Sequence, residues 1–230
     1  MSGLTVAKGW SEHARASILY VNDGIVTAAG IAEGFATAGA STGTLLFAGA
    51  TVMVAGGLAA GGERYMEERN EWEMNRSLLE AERASIAADP RAEFEELVEI
   101  YEAKGLSADL ARQVADALTE HDPVAAHADA ELRLDSSELS PTSLRAALTA
   151  GLSFALGAVV PLALVIASPG GLRIELTVVA ALLALALTGW VTSWLTGLPP
   201  LRLVRRNLVL GAATLTAGLV IGLVSGAKSR

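Results

Sequence analysis

The stretch YVNDGIVTAAGIAEGFATAG, residues 20–39, has the length and apolar character of a membrane helix, yet it carries Asp23 and Glu33. Crossing a bilayer core takes about 20 residues. Four further apolar runs follow, so the expected spans are roughly 18–40, 44–62, 145–167, 174–196 and 204–225. The composition agrees: of 230 residues 52% are hydrophobic, and the mean hydropathy is +0.44. Residues 1–17 have no apolar core and no small-residue cleavage site, so no cleavable signal peptide is expected. Cysteine is absent, which excludes disulfides and thiolate metal sites. The expected fold class is all-α, a polytopic membrane protein with five transmembrane helices.

Charge is distributed unevenly along this chain. Residues 63–143 hold 21 of the 25 acids and 8 of the 17 bases, a net −13 against +5 for the remainder. The expected domains are therefore 1–62 (an N-terminal tail and helices one and two), 63–143 (an acidic helical domain) and 144–230 (helices three to five). Phosphates would be repelled by such a surface, so nucleic acid is not an expected partner. Cations are. Basic residues in short loops set orientation: Lys8 and Arg15 precede span one, and Arg202, Arg205 and Arg206 lie between spans four and five. Five spans then place the N-terminus and the acidic domain in the cytoplasm and the C-terminal AKSR outside, against the pull of its own two bases.

The acidic block has helical order. Phe94, Leu97, Val98 and Tyr101 recur at i, i+3, i+4 and i+7, the stripe of an amphipathic helix. Gly105 fits a left-handed stop, Ser107 an N-cap, and Leu110, Val114 and Leu118 form a second stripe. Pro123 closes that helix, and VAAHADAELRL reads as a shorter third one. Upstream, ERYMEERNEWEMNRSLLEAERASIAAD continues span two out of the membrane as a long helix. The carboxylates have two readings, solubilising charge or oxygen ligands for a divalent cation. In the second, Glu93 and Glu96, one turn apart, converge on an ion with Glu82 or Glu131 from neighbouring helices. Carboxylates and imidazole without thiol suit Fe²⁺, Mn²⁺ or Zn²⁺, and water-rich oxygen sites would admit Mg²⁺ or Ca²⁺.

The intramembrane acids say more. A charge at bilayer depth costs about 2.5–3.5 kcal/mol on insertion scales, so such a residue is read as facing the bundle or a water-filled path. Glu33 lies about 15 Å deeper than Asp23, and their ten-residue spacing falls about 80° short of whole turns. The two acids therefore occupy adjacent faces, as stations on a pathway rather than one chelate. Gly30 with Gly34, and Gly57 with Gly61, make small-xxx-small faces for close helix packing.

Taken together, NDGIVTAAGIAEGFATAG, the second span ending AAGGE, and FEELVEIYEAKGLSADLARQVADALTEHDPVAAHADAEL resemble the vacuolar iron transporter family in its bacterial form. The resemblance runs from about residue 14 to the C-terminus. It implies a homodimer with five spans per subunit and a cytoplasmic helical metal-binding domain inserted between helices two and three. It also implies export of Fe²⁺, and of Mn²⁺, from the cytosol in exchange for protons, in the cell (inner) membrane. Asp23 matches the acid of the family's DG motif on the transport path, and Glu63 the glutamate that ends span two. Glu82, Glu93, Glu96 and Glu131 match metal-binding glutamates. Ser85 departs from the pattern, standing where another glutamate is expected. His127 falls near a position that is methionine in some relatives, where imidazole would serve as a ligand or simply pack. In span two Val52 and Ala59 replace an expected acid and methionine, with Met53 nearby, and Glu33 would supply the missing charge.

The resulting expectation is a proton-coupled divalent metal transporter with Asp23, Glu33, Glu63 and Met53 on its path. Glu82, Glu93, Glu96, Glu131 and His127 would collect the metal. A facilitative cation carrier or channel, and a membrane-anchored storage or sensor protein, are the alternatives. The sequence has no paired His/Glu helical motif, nucleophile elbow or phosphate-cradling loop, so no enzyme is expected.

Overall fold

The computed structural model describes residues 2–132, 134, 143–168 and 172–227, with side chains described from residue 14 to 226. Lys228 and Arg230, and the side chain of Lys8, lie outside them. Among the described residues every regular element is a helix: α1 (Ser2–Thr37), α2 (Thr42–Ala88), α3 (Pro90–Ala103), α4 (Ala108–His121), α5 (Pro123–Ala130), α6 (Ser143–Ala167), α7 (Arg173–Thr196) and α8 (Pro200–Ala227). The chain divides into two units, one of Met1–Arg64 with Arg145–Arg230 and the other Tyr65–Leu144.

In the first unit, α2, α6, α7 and α8 are long and apolar enough to cross a membrane. α1 is equally long but falls outside that group, because Asn22, Asp23 and Glu33 dilute its apolar run. α1 also begins at Ser2, so the stretch expected to be a tail is helical. α8 starts at Pro200, earlier than the expected 204, with Arg202, Arg205 and Arg206 in its first turns. Proline suits a first helical turn because its missing N–H has no partner there and its φ is already helical. Ahead of it, Gly197 ends α7 in the left-handed region (φ 68°).

Outward positions of the long helices are apolar, with Leu152, Leu183 and Trp194 exposed at 65%, 66% and 79%. Water would penalise such a surface and lipid would not. Inside, Ile25 and Ala29 of α1 pack with Ala181 and Leu185 of α7 and Leu215 of α8. The small residues do what their spacing suggests: Gly30 and Gly34 lie against Thr214 and Gly218 of α8, and Gly57 and Gly61 against Gly151 and Ala147 of α6. Both pairs are seams within one chain. A short polar network ties α1 to α7 and α8, with Thr188 donating to Asn22 Oδ1 at 2.5 Å and Asn207 donating to the Leu185 carbonyl at 3.2 Å.

In the second unit α3, α4 and α5 pack around Leu97, Val98, Ala111, Ala115, Ala126 and Ala130, with Phe94, Tyr101 and Leu118 at the edge. Asp89 caps α3 by accepting from the Ala92 N–H, and Pro90 occupies its first turn. Gly105 (φ 99°) stops α3. Its N–H donates to the Glu102 carbonyl and that of Leu106 to the Tyr101 carbonyl, the paired bonds of a Schellman motif. Ser107 precedes α4 without a side-chain capping bond. Glu95 and Arg112 form a two-pronged ion pair between α3 and α4, at 3.0 and 2.7 Å. It holds the Arg112 guanidinium above its ordinary pKa and the Glu95 carboxyl below its own.

Candidate metal centre

Within the second unit three helices direct their polar side chains to one point. α2 supplies Glu82, α3 supplies Glu93, and α5 supplies His127 with Glu131 at its C-terminal end. Local structure fixes each of them. Leu97 and Val98 pin α3 to the core, which leaves Glu93 one turn earlier beside it. Asp122 caps α5 by accepting from the Ala125 N–H, and Ala126 and Ala130 anchor the helix on either side of His127. Lys104 Nζ donates to the Ala130 carbonyl at 3.2 Å, tying the end of α3 to the residue before Glu131.

His127 is 2% exposed and Glu82 9%. His127 Nδ1 lies 3.0 Å from Glu82 Oε1, 3.8 Å from Glu93 Oε2 and 3.9 Å from Glu131 Oε2. One ligand atom from each of Glu82, His127 and Glu131 falls within 4.8 Å of the others. Two ligands each about 2.1 Å from an ion and about 90–110° apart stand roughly 3.0–3.4 Å from each other, so the shortest of these separations suits a shared cation. Despite their proximity, Glu82 Oε1 and His127 Nδ1 are both buried without a hydrogen-bond partner. Buried polar atoms are normally satisfied, and a cation between these two would satisfy both.

Electrostatics agree with the geometry. Burial raises the Glu82 carboxyl above its ordinary pKa; His127 opposes the rise, and Glu131, Glu93 and Glu96 add to it. A site that resists charge when empty gains most from a divalent cation. Of the expected ligands, Glu96 is exposed at the rim and reaches Glu82 only through its charge. Ser85, one turn after Glu82, is exposed.

The four residues expected on a membrane path lie in the first unit. Asp23 is exposed on α1 and close enough to Glu63, at the unit's end of α2, for their charges to interact. Met53 is half-buried on α2. Glu33 is 7% exposed and lines a small cavity with Arg173 and Thr177 of α7. Neither Arg173 nor Thr177 was expected beside Glu33. They belong to a distant helix, and no spacing motif links them to Glu33.

Comparison with known proteins gives a family model described as the VIT family, matched over residues 14–223. The chain is 27% identical to Vacuolar iron transporter 1 of Arabidopsis thaliana over 217 residues, covering 93% of this chain and 86% of that protein. It is 33% identical to Vacuolar iron transporter of Acanthamoeba castellanii over 134 residues, 58% of this chain and 47% of that protein.

Proposed function

This chain belongs to the VIT family, and from that premise we propose that it carries Fe²⁺, with Mn²⁺ as a second substrate, out of the cytosol in exchange for protons. It is a multi-pass membrane protein and a transporter rather than an enzyme, in keeping with the names of its curated relatives. The observation that carries the metal reading is the buried, unpartnered pair of Glu82 Oε1 and His127 Nδ1, with Glu93 and Glu131 beside them. Imidazole with carboxylates suits Fe²⁺ or Mn²⁺, and would also accept Zn²⁺.

In this account α1 is the fifth span. Asp23 is retained because it faces a cation path rather than lipid, and Glu33 because it faces the bundle interior. The Tyr65–Leu144 unit is cytoplasmic, the N-terminus lies on the same side, the C-terminus lies outside, and the protein works as a homodimer in the cell membrane. The acidic unit raises the local cation concentration, and Glu82, Glu93, Glu131 and His127 hold the ion with Glu96 at their rim. Asp23, Glu63 and Met53 form the metal's route through the membrane unit, and Glu33 the proton's. Glu63 near Asp23 gives an arriving cation two carboxylates at the mouth of that path.

The test is Fe²⁺ and Mn²⁺ flux into proteoliposomes with and without a pH gradient, comparing wild type with Asp23→Ala. Gradient-dependent uptake that the substitution abolishes is expected. Uptake indifferent to the gradient would replace antiport by a facilitative carrier or channel. Undiminished, still proton-coupled flux in the variant would remove Asp23 from the path.

A further inference from the structure

Glu33 Oε2 has no hydrogen-bond partner although its residue is buried. The cavity before it has a volume of about 10 Å³ and is lined also by Ala32, Ala36, Val165, Arg173, Ile174 and Thr177. Two of these residues bring unpartnered buried atoms of their own, Thr177 Oγ1 and Arg173 Nε. Thr177 is 2% exposed. An acceptor, a guanidinium donor and a hydroxyl that serves as either thus surround one small space. About 10 Å³ is the room that a single water needs, and a buried water is held by two to four polar partners. A divalent cation of the hard oxygen-seeking type takes about six oxygen ligands, whereas the unpartnered atoms here offer two oxygens and a guanidinium nitrogen.

Charge selects in the same direction. Among the described residues lining the cavity, Glu33 and Arg173 are the charged ones, and a guanidinium repels a metal ion. Glu175, two residues on, is exposed and does not line it. α6 contributes Val165 there, and α2 offers Thr42, whose hydroxyl accepts from Arg173 at 3.0 Å. α8 packs on this part of α1 through Gly218 and Gly222 and carries Arg202, Arg205 and Arg206 at its opposite end.

We infer that Glu33, Arg173 and Thr177 hold one water, and that Glu33 is the proton-binding site of the membrane unit rather than a metal ligand. A proton arriving from bulk solvent is relayed through the water, which gains one as it gives one to Oε2, so the carboxylate becomes a neutral acid and the water stays a water. The place of this step in transport rests on the antiport reading; the site itself does not.

Infrared difference spectroscopy on the full chain in lipid, stepped in pH, tests the inference. Acidification of wild type and of Asp23→Asn is expected to produce the C=O band of a protonated carboxyl that is missing in Glu33→Gln. Thr177→Val removes a partner of the water and is expected to shift that band, which keeps the test decisive should Glu33→Gln fail to fold. Mn²⁺ bound per chain by Glu33→Gln should equal wild type, while the pH-gradient stimulation of its flux is lost. Persistence of the band in Glu33→Gln, an unshifted band in Thr177→Val, or loss of Mn²⁺ from Glu33→Gln would overturn the inference. A band that behaves as expected in a wild-type protein that moves no protons would uphold the site and remove the antiport reading.

Discussion

Replacing Glu82 by Gln should move the stability of the metal-free and metal-loaded protein in opposite directions. Without metal, the Glu82 carboxylate is buried, unpartnered at Oε1 and surrounded by Glu131, Glu93 and Glu96. A buried polar group left unsatisfied costs about 1–3 kcal/mol. A glutamine there is neutral and is not repelled by Glu131, Glu93 and Glu96, so the metal-free variant is expected to gain about that amount. For a domain of about 60–100 residues each kcal/mol is worth about 4–8 °C in Tm. With metal at about 100 times its Kd, wild type gains about 2.7 kcal/mol from binding, and the variant, lacking a ligand, loses most of that gain.

The pH dependence has a defined sign. The unfolded chain releases the Glu82 proton near the ordinary value of 4.5, and the folded one only at higher pH, chiefly because of burial. The group therefore supports the fold fully below 4.5 and loses that support as pH rises through the folded pKa. The advantage of Glu82→Gln in chelator should be largest at neutral pH and shrink on acidification. Calorimetry of the detergent-solubilised chain in chelator and in Mn²⁺, from neutral pH downward, measures both effects. A metal-free variant less stable than wild type that still gains fully from Mn²⁺ would refute the reasoning.

Other substitutions probe neighbouring parts of the account. Ser85→Glu restores a carboxylate one turn after Glu82 and should tighten Mn²⁺ binding roughly tenfold, about 1.4 kcal/mol, as titration of the purified protein would measure. Leu97→Ala empties a fully buried position in the core of the Tyr65–Leu144 unit and should cost about 2–5 kcal/mol, lowering the Tm of that unit in chelator. Gly157→Ala drives a methyl into the Val21 carbonyl where α6 meets α1, and overpacking of that kind costs about 1–3 kcal/mol or more. It should lower the thermal stability of the membrane unit while leaving Mn²⁺ bound per chain unchanged.

Local signals in the sequence carried the helices well. The Phe94, Leu97, Val98 and Tyr101 stripe is the buried edge of α3, and Gly105 adopts the positive φ that its position suggested. Those features depend on near neighbours along the chain. Ser107 shows the limit: it stands before α4, but its side chain makes no capping bond. In the candidate site, Glu93 and Glu96 are a turn apart, yet three residues rotate a helix by about 300°. Only Glu93 comes within 4 Å of His127, and Glu96 stays at the rim. Whether His127 packed or pointed at carboxylates was undecided by its spacing, because its answer lies in α2, far away in sequence. The companions of Glu33 were hidden for the same reason, since Arg173 and Thr177 meet it only once α7 packs against α1.

The most direct test of the central claim is a paired measurement on one proteoliposome preparation, Fe²⁺ bound per chain and Fe²⁺ accumulated in the lumen over time. Accumulation is expected to continue well beyond the bound stoichiometry and to be accelerated by an imposed pH gradient. Fe²⁺ that saturates at a few ions per chain, with none reaching the lumen, would contradict it and leave a protein that stores or senses the metal.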